Sequence, residues 1–114
     1  MTTKEVATMI ASLKIPYAYY QFPETAEATP FICFFYAGDN DFKADNANYR
    51  KIDRLVIELY TKNKDLALEA QLEGVLAQHG LVYSRSEYYV DSERMYETIY
   101  ETNVLIDAEV IENE

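Results

Sequence analysis

The chain has 114 residues, 49% of them hydrophobic and 26% charged, with only 3 Gly and 3 Pro. Those figures fit one globular domain and exclude a linker-rich or disordered chain. Its net charge of −10, from 20 acidic against 10 basic side chains, argues against binding nucleic acid by neutralising phosphates and against docking on anionic membranes.

A single cysteine, Cys33, rules out an internal disulfide. It sits in the apolar run Phe31-Ile32-Cys33-Phe34-Phe35-Tyr36 and reads as a buried structural thiol. The N-terminus shows no basic segment followed by an apolar core, and no apolar run approaches the ~20 residues a membrane span needs. The expected setting is a reducing cytoplasm. The aromatic set is uneven: 11 Tyr, 5 Phe and no Trp. Tyrosine pairs an apolar ring with a polar tip, which suits half-buried sheet faces and protein contacts.

In chain order, the N-terminal segment predicts a short amphipathic helix. Thr2 and Glu5 have capping-box spacing. Val6, Met9, Ile10 and Leu13 fall on one face, and Pro16 is expected to end the helix by restricting Ile15. Residues 17–22 predict a first strand, stopped by Pro23. A polar connection leads to residues 31–37, too short and aromatic for a buried helix and read as a central strand. These two strands are expected to form a hairpin with a long loop. Residues 38–48 read as a mobile, solvated loop. Its Asp39, Asp41 and Asp45 lack the spacing, glycine and terminal glutamate of an EF-hand, so no metal site is expected. Phe42, an aromatic in that polar loop, is a candidate partner contact.

Residues 49–61 predict a long strand, with Leu55, Ile57 and Leu59 on one face and Ile52, Val56 and Tyr60 on the other. Charges cluster at its start (Arg50, Lys51, Asp53, Arg54). The expectation is an exposed, projecting start and an end buried on both faces. Residues 64–79 predict the second helix, capped by Asn63, with Leu68, Leu72, Val75 and Leu76 as its core stripe and Glu69 and Glu73 outside. Gly80 stands where a left-handed cap belongs. His79, the only histidine, lies where its ring can reach free helix carbonyls. Residues 80–106 then predict a hairpin turning at 91–94, with one covered and one wetter face. Residues 107–114 form an acidic tail. The expected fold class is α+β: a mostly antiparallel sheet of about five strands, two helices packed on one side, in the order α-β-β-β-α-β-β over a single domain, 1–114.

No motif spells out a reaction. The chain has no His/Cys cluster, no glycine-rich phosphate loop and no dinucleotide fingerprint, so no catalytic, cofactor or metal residues are assigned. Glu97 and Glu101 share a strand face with spacing common on any acidic strand. From Glu87 onward, nine acids (Glu87, Asp91, Glu93, Glu97, Glu101, Asp107, Glu109, Glu112, Glu114) face Arg94 alone. A surface of one sign repels nucleic acid or complements a basic partner.

The pattern of elements resembles the small tail-terminator and head–tail joining proteins of long-tailed bacteriophages. The pieces that carry the likeness are Ile15-Pro16-Tyr17-Ala18-Tyr19-Tyr20, Arg54-Leu55-Val56-Ile57-Glu58-Leu59-Tyr60-Thr61-Lys62, and Glu87-Tyr88-Tyr89-Val90 through Met95-Tyr96-Glu97-Thr98-Ile99-Tyr100-Glu101. The likeness covers nearly the whole chain as element order and aromatic strands. It implies a structural, non-enzymatic subunit without cofactors, assembled in a bacterial host cytoplasm into the virion neck. Such subunits form homo-oligomeric rings, often hexameric, that contact tail-tube and head-connector proteins while DNA passes through without specific binding. On that basis Phe42, Tyr49, Arg50, Tyr88 and Tyr89 are candidate contacts, and Glu97 and Glu101 are candidate lumen-facing acids. The alternative expectation is a small acidic regulatory module with a basic protein partner.

Overall fold

In a computed structural model, residues 1–39 and 51–107 are described. The expected contacts Phe42, Tyr49 and Arg50 lie outside them, as do most of the 38–48 loop and all but the first residue of the acidic tail. The elements run α1 (Thr3–Ala11), β1 (Tyr17–Tyr19), a 3-10 turn (Ala26–Ala28), β2 (Phe31–Asp39), β3 (Lys51–Thr61), α2 (Leu66–Gln78), β4 (Tyr83–Val90) and β5 (Met95–Ile106). The fold is the α+β class expected, with strand order β1-β2-β3-β5-β4.

Helix α1 begins as its sequence dictates. Thr2 accepts from the Glu5 backbone N–H at 3.0 Å, and Glu5 accepts from the Thr2 N–H at 2.8 Å, closing the capping box. It ends at Ala11, well before Pro16. The Ser12 hydroxyl donates to the Met9 carbonyl and Lys14 takes φ 60°, so local capping stops the helix before proline acts.

The first departure from expectation concerns β1. It pairs with β2 in parallel, Tyr17 opposite Ile32 and Tyr19 opposite Phe34, so the two are not a hairpin. Parallel neighbours need a crossover, and residues 20–30 supply it by passing over the sheet. Tyr20 ends β1 at φ 63°, a left-handed conformation uncommon outside glycine.

Strand β3 is the central strand, a place the sequence reading gave to β2. It pairs with β2 on one side and along its full length with β5 on the other, from Lys51 opposite Ile106 to Thr61 opposite Tyr96. From Lys51 on, its start is paired and does not project, with Asp53 buried and Ile52 half-buried, while Arg54 is exposed as expected. The end is buried on both faces as expected, with every residue from Leu55 to Thr61 covered.

Both helices pack on one face of the sheet. Val6, Met9 and Ile10 of α1 and Leu68, Leu72 and Leu76 of α2 form one cluster with Ile32, Phe34, Leu55, Ile57, Leu59, Tyr100, Val104 and Ile106. Burying side chains of this size contributes about 1.5–3 kcal/mol each, so this layer is the main core. A smaller cluster of Cys33, Tyr60 and Met95 lies on the opposite face, with Ala26, Phe31, Phe35 and Val90 against it.

Helix α2 corrects two expectations. Its N-cap is Asp65, which accepts from the Leu68 N–H, and not Asn63. Glu69, expected outside, is 2% exposed, and Glu73 is half-buried. The cause is pairing. Lys64 Nζ lies 2.6 Å from Glu69, Arg85 binds Glu69, Glu87 and Glu73, and the Tyr100 hydroxyl donates to Glu73 at 2.8 Å. At the other end Gly80 takes φ +70° and the His79 ring meets the Val75 carbonyl at 2.9 Å, which satisfies helix-end groups as the sequence suggested.

Candidate functional site

Three surfaces are built by this arrangement: the β1 edge, the β4 edge and the sheet face without helices. At the β1 edge, Tyr17, Tyr19, Tyr20 and Phe22 are 43%, 49%, 57% and 54% exposed. Their rings are braced on the sheet. Tyr17 and Tyr19 contact Phe34 on the helix side, at 6.4 and 5.4 Å between centroids. The turn at Tyr20 carries the chain around the edge, so Tyr20 reaches Phe35 at 5.0 Å and Phe22 reaches Tyr60 at 6.4 Å on the other side. Residues 15–23 contain no charged side chain, nor do residues 28–38. An aromatic belt therefore wraps one edge of an acidic molecule.

The β4 edge carries the expected contacts Tyr88 and Tyr89, 55% and 50% exposed. The structure places them on opposite faces. Tyr88 is registered with Glu97, whereas Tyr89 is registered with Tyr96 and stacks edge-on against it at 4.9 Å. The charged residues of β4, Arg85 and Glu87, are engaged with Lys64 and Glu69 beneath α2.

On the helix-free face, strand alternation sets Val56, Glu58 and Tyr60 of β3 beside Glu97, Ile99 and Glu101 of β5 and Ser84, Ser86 and Tyr88 of β4. The structure thus sets the expected Glu97 and Glu101 on one face of β5 with Ile99 between them, both half-buried. Arg54 lies 3.8 Å from Glu101. An open depression of about 340 Å³ there is lined by residues including Arg54, Ser84 and Glu101.

The residues missed by sequence reasoning are Glu58 and Tyr60. Glu58 is 8% exposed. The Tyr60 hydroxyl oxygen lies 3.0 Å from Glu58 Oε1 and 3.1 Å from Glu97 Oε2. A hydroxyl has one proton, so it can donate to only one of these carboxylates. The other short contact is satisfied when a carboxyl proton is donated to the tyrosine oxygen, leaving one negative charge over the pair. Electrostatics agrees. Burial, with the neighbouring Glu97, pushes the Glu58 carboxyl up to about 7 despite the Tyr60 hydrogen bond. Cys33, registered opposite Glu58, is pushed up to about 11 by burial and then by the Glu58 charge, the reverse of what a reactive thiol needs. The signal was present in the sequence: a carboxylate inside a strand buried on both faces must be paired or protonated.

Among the described residues, no group of three or more His, Cys, Asp or Glu could hold a metal ion, and no helix is long and apolar enough to cross a membrane. Geometry defines a five-stranded α+β protein with one helical layer and an acidic open face. Comparison of the sequence with models of known protein families and with curated proteins finds no match.

Proposed function

We propose that the protein is a phage or prophage structural subunit, a tail-terminator-like component of a homo-oligomeric ring at the head–tail junction, with the helix-free face turned toward the lumen. The observation that carries this reading is the charge on that face. Glu58, Glu97 and Glu101 stand on adjacent strands with Arg54 as their nearby cation and with the hydroxyls of Ser84, Ser86 and Tyr88 beside them. With one negative charge over the Glu58–Glu97 pair and Glu101 facing the cation Arg54, these groups stay net negative and disfavour close approach of phosphate. The helix-covered face, by contrast, has its apolar stripe buried and its ion pairs internally satisfied, which suits the outside of a ring. The likeness in element order and aromatic strands adds the neck of a virion as the place, with tail-tube and head-connector proteins as neighbours.

Negative-stain images and light scattering at high protein concentration test the reading. Closed rings with a central opening, which join a tail-tube preparation and retain no duplex DNA at low salt, are the expected result. A particle that stays monomeric with and without tail-tube protein, or that binds DNA tightly, would remove the ring. Monomers that bind a basic protein with steeply salt-dependent affinity would favour a regulatory module.

A further inference from the structure

Two chains each carrying ten net negative charges repel one another, so self-association needs surfaces where that charge is absent or locally balanced. The described residues offer two. One is the β1 edge, uncharged through 15–23 and ringed with exposed aromatics. The other is the β4 edge, where the exposed Arg85 and Glu87 are balanced by ion pairs with Lys64 and Glu69 within the same subunit and Tyr88 and Tyr89 stand exposed beside them. These edges differ in composition and lie at opposite ends of one sheet. An exposed aromatic patch on a soluble chain marks a contact, and Tyr20 holds a costly left-handed backbone to keep the patch continuous around the edge.

We propose that the β1 edge of one copy, through Tyr17, Tyr19, Tyr20 and Phe22, packs against the β4 edge of the next copy at Tyr88 and Tyr89, so that sheets join head to tail around the assembly. This rests on the ring reading above and specifies its contact. A contact between unlike edges is heterologous, and heterologous contacts propagate until they close. The aromatic rings supply buried area, and the outward main-chain groups of the two edge strands add hydrogen bonds between subunits.

The test uses the full chain and two variants, one per edge. In Tyr20→Asp the β1 edge is charged by a residue that tolerates positive φ; in Tyr89→Asp the β4 edge is charged. The wild type is expected to sediment as a multi-subunit particle and each variant as a folded monomer by circular dichroism. An equimolar mixture of the variants should form a dimer and nothing larger, because it contains one intact edge pair and two blocked ends. A monomeric wild type would overturn the ring reading together with this contact. An oligomeric wild type whose variants also oligomerise, or whose mixed variants stay monomeric, would overturn the contact alone. If either aspartate prevents folding, a Cys33→Ser chain carrying Gln21→Cys and Tyr89→Cys takes its place. Disulfide-linked ladders from dimer upward support the contact, and unlinked chains under oxidation reject it.

Discussion

Two carboxylates, Glu69 and Glu58, are almost equally hidden from solvent and lie on opposite faces of the same sheet. Glu69, under α2, meets Lys64, Arg85 and the Thr98 hydroxyl. Burial pushes its carboxyl up, and the hydrogen bonds and charges of Lys64 and Arg85 outweigh it, so it sits below the ordinary range. Glu58, on the helix-free face, meets a tyrosine hydroxyl, a second carboxylate and a thiol, and sits at about 7. Similar burial thus leaves one acid ionised and the other partly protonated near neutral pH. One face uses its buried acid to fasten a helix to the sheet. The other holds its acid as a partly protonated member of an open acidic surface.

The largest expected effect comes from breaking the fastened side. Glu69→Ala leaves Lys64 and Arg85 short of a partner in a half-buried setting, and removing one member of a buried pair costs about 3–5 kcal/mol. Urea unfolding at pH 7 should show a loss near the lower figure, since Arg85 keeps Glu73 and Glu87. A loss under about 1 kcal/mol would mean that Glu69 does not anchor α2. Acid should act the same way. A carboxyl held below its ordinary pKa contributes stability that is present above the unfolded value and is lost as pH falls through the folded one.

The opposite sign is expected at Glu58. Its folded pKa of about 7 exceeds the ordinary 4.5, so the folded protein keeps a proton that the unfolded chain releases. The stability this contributes is complete below 4.5 and is lost as pH rises through 7. The difference corresponds to about 3 kcal/mol. In urea titrations from pH 5 to 8.5 the wild type should lose stability on this scale, while Glu58→Gln, which cannot ionise, should stay nearly flat. Parallel pH profiles for the two proteins would show that Glu58 titrates normally.

Much of this contrast was legible in residues, and some was not. The alternation in β3 and β5 set the two faces, and the capping box, Gly80 and the 91–94 turn placed element ends within a few residues. Parallel pairing of β1 was hidden, because the polar connection expected over residues 23–30 reads the same whether it turns back beside its strand or crosses the sheet. Glu69 was misplaced even though its spacing to Leu72 and Leu76 puts it on the buried stripe. Its partner Arg85 lies 16 residues away, and only the register of β4 against β5 brings that cation beneath the helix. Glu58 was overlooked for a related reason. Its proton depends on Glu97, which a register between two strands 37 residues apart sets beside Tyr60. Of the candidate site, Tyr88, Tyr89, Glu97 and Glu101 were read from the sequence. The β1 belt was read as a strand and its exposure was not, because exposure depends on β1 ending the sheet.

The smallest effect is also the most specific, because it isolates the Tyr60 hydroxyl. Tyr60→Phe removes one oxygen and keeps the ring that packs against Phe22. With one proton on the carboxyl pair, that proton can still bridge Glu58 and Glu97 directly. With both carboxyls ionised, the hydroxyl is the donor that the pair depends on, and phenylalanine supplies no substitute. The doubly ionised state therefore loses more, and the Glu58 midpoint should rise above 7. The shift should be roughly half to one unit, the equivalent of about 1 kcal/mol for a hydrogen bond to a charged group in this partly open setting. Carboxyl carbon shifts followed by NMR from pH 4 to 9 read it directly, with Glu69 on the far face, held ionised over most of that range, as the internal reference whose shift should not change. A fall in the Glu58 midpoint would mean that the hydroxyl mainly accepts from a protonated Glu58 and that the charge of the pair rests on Glu97.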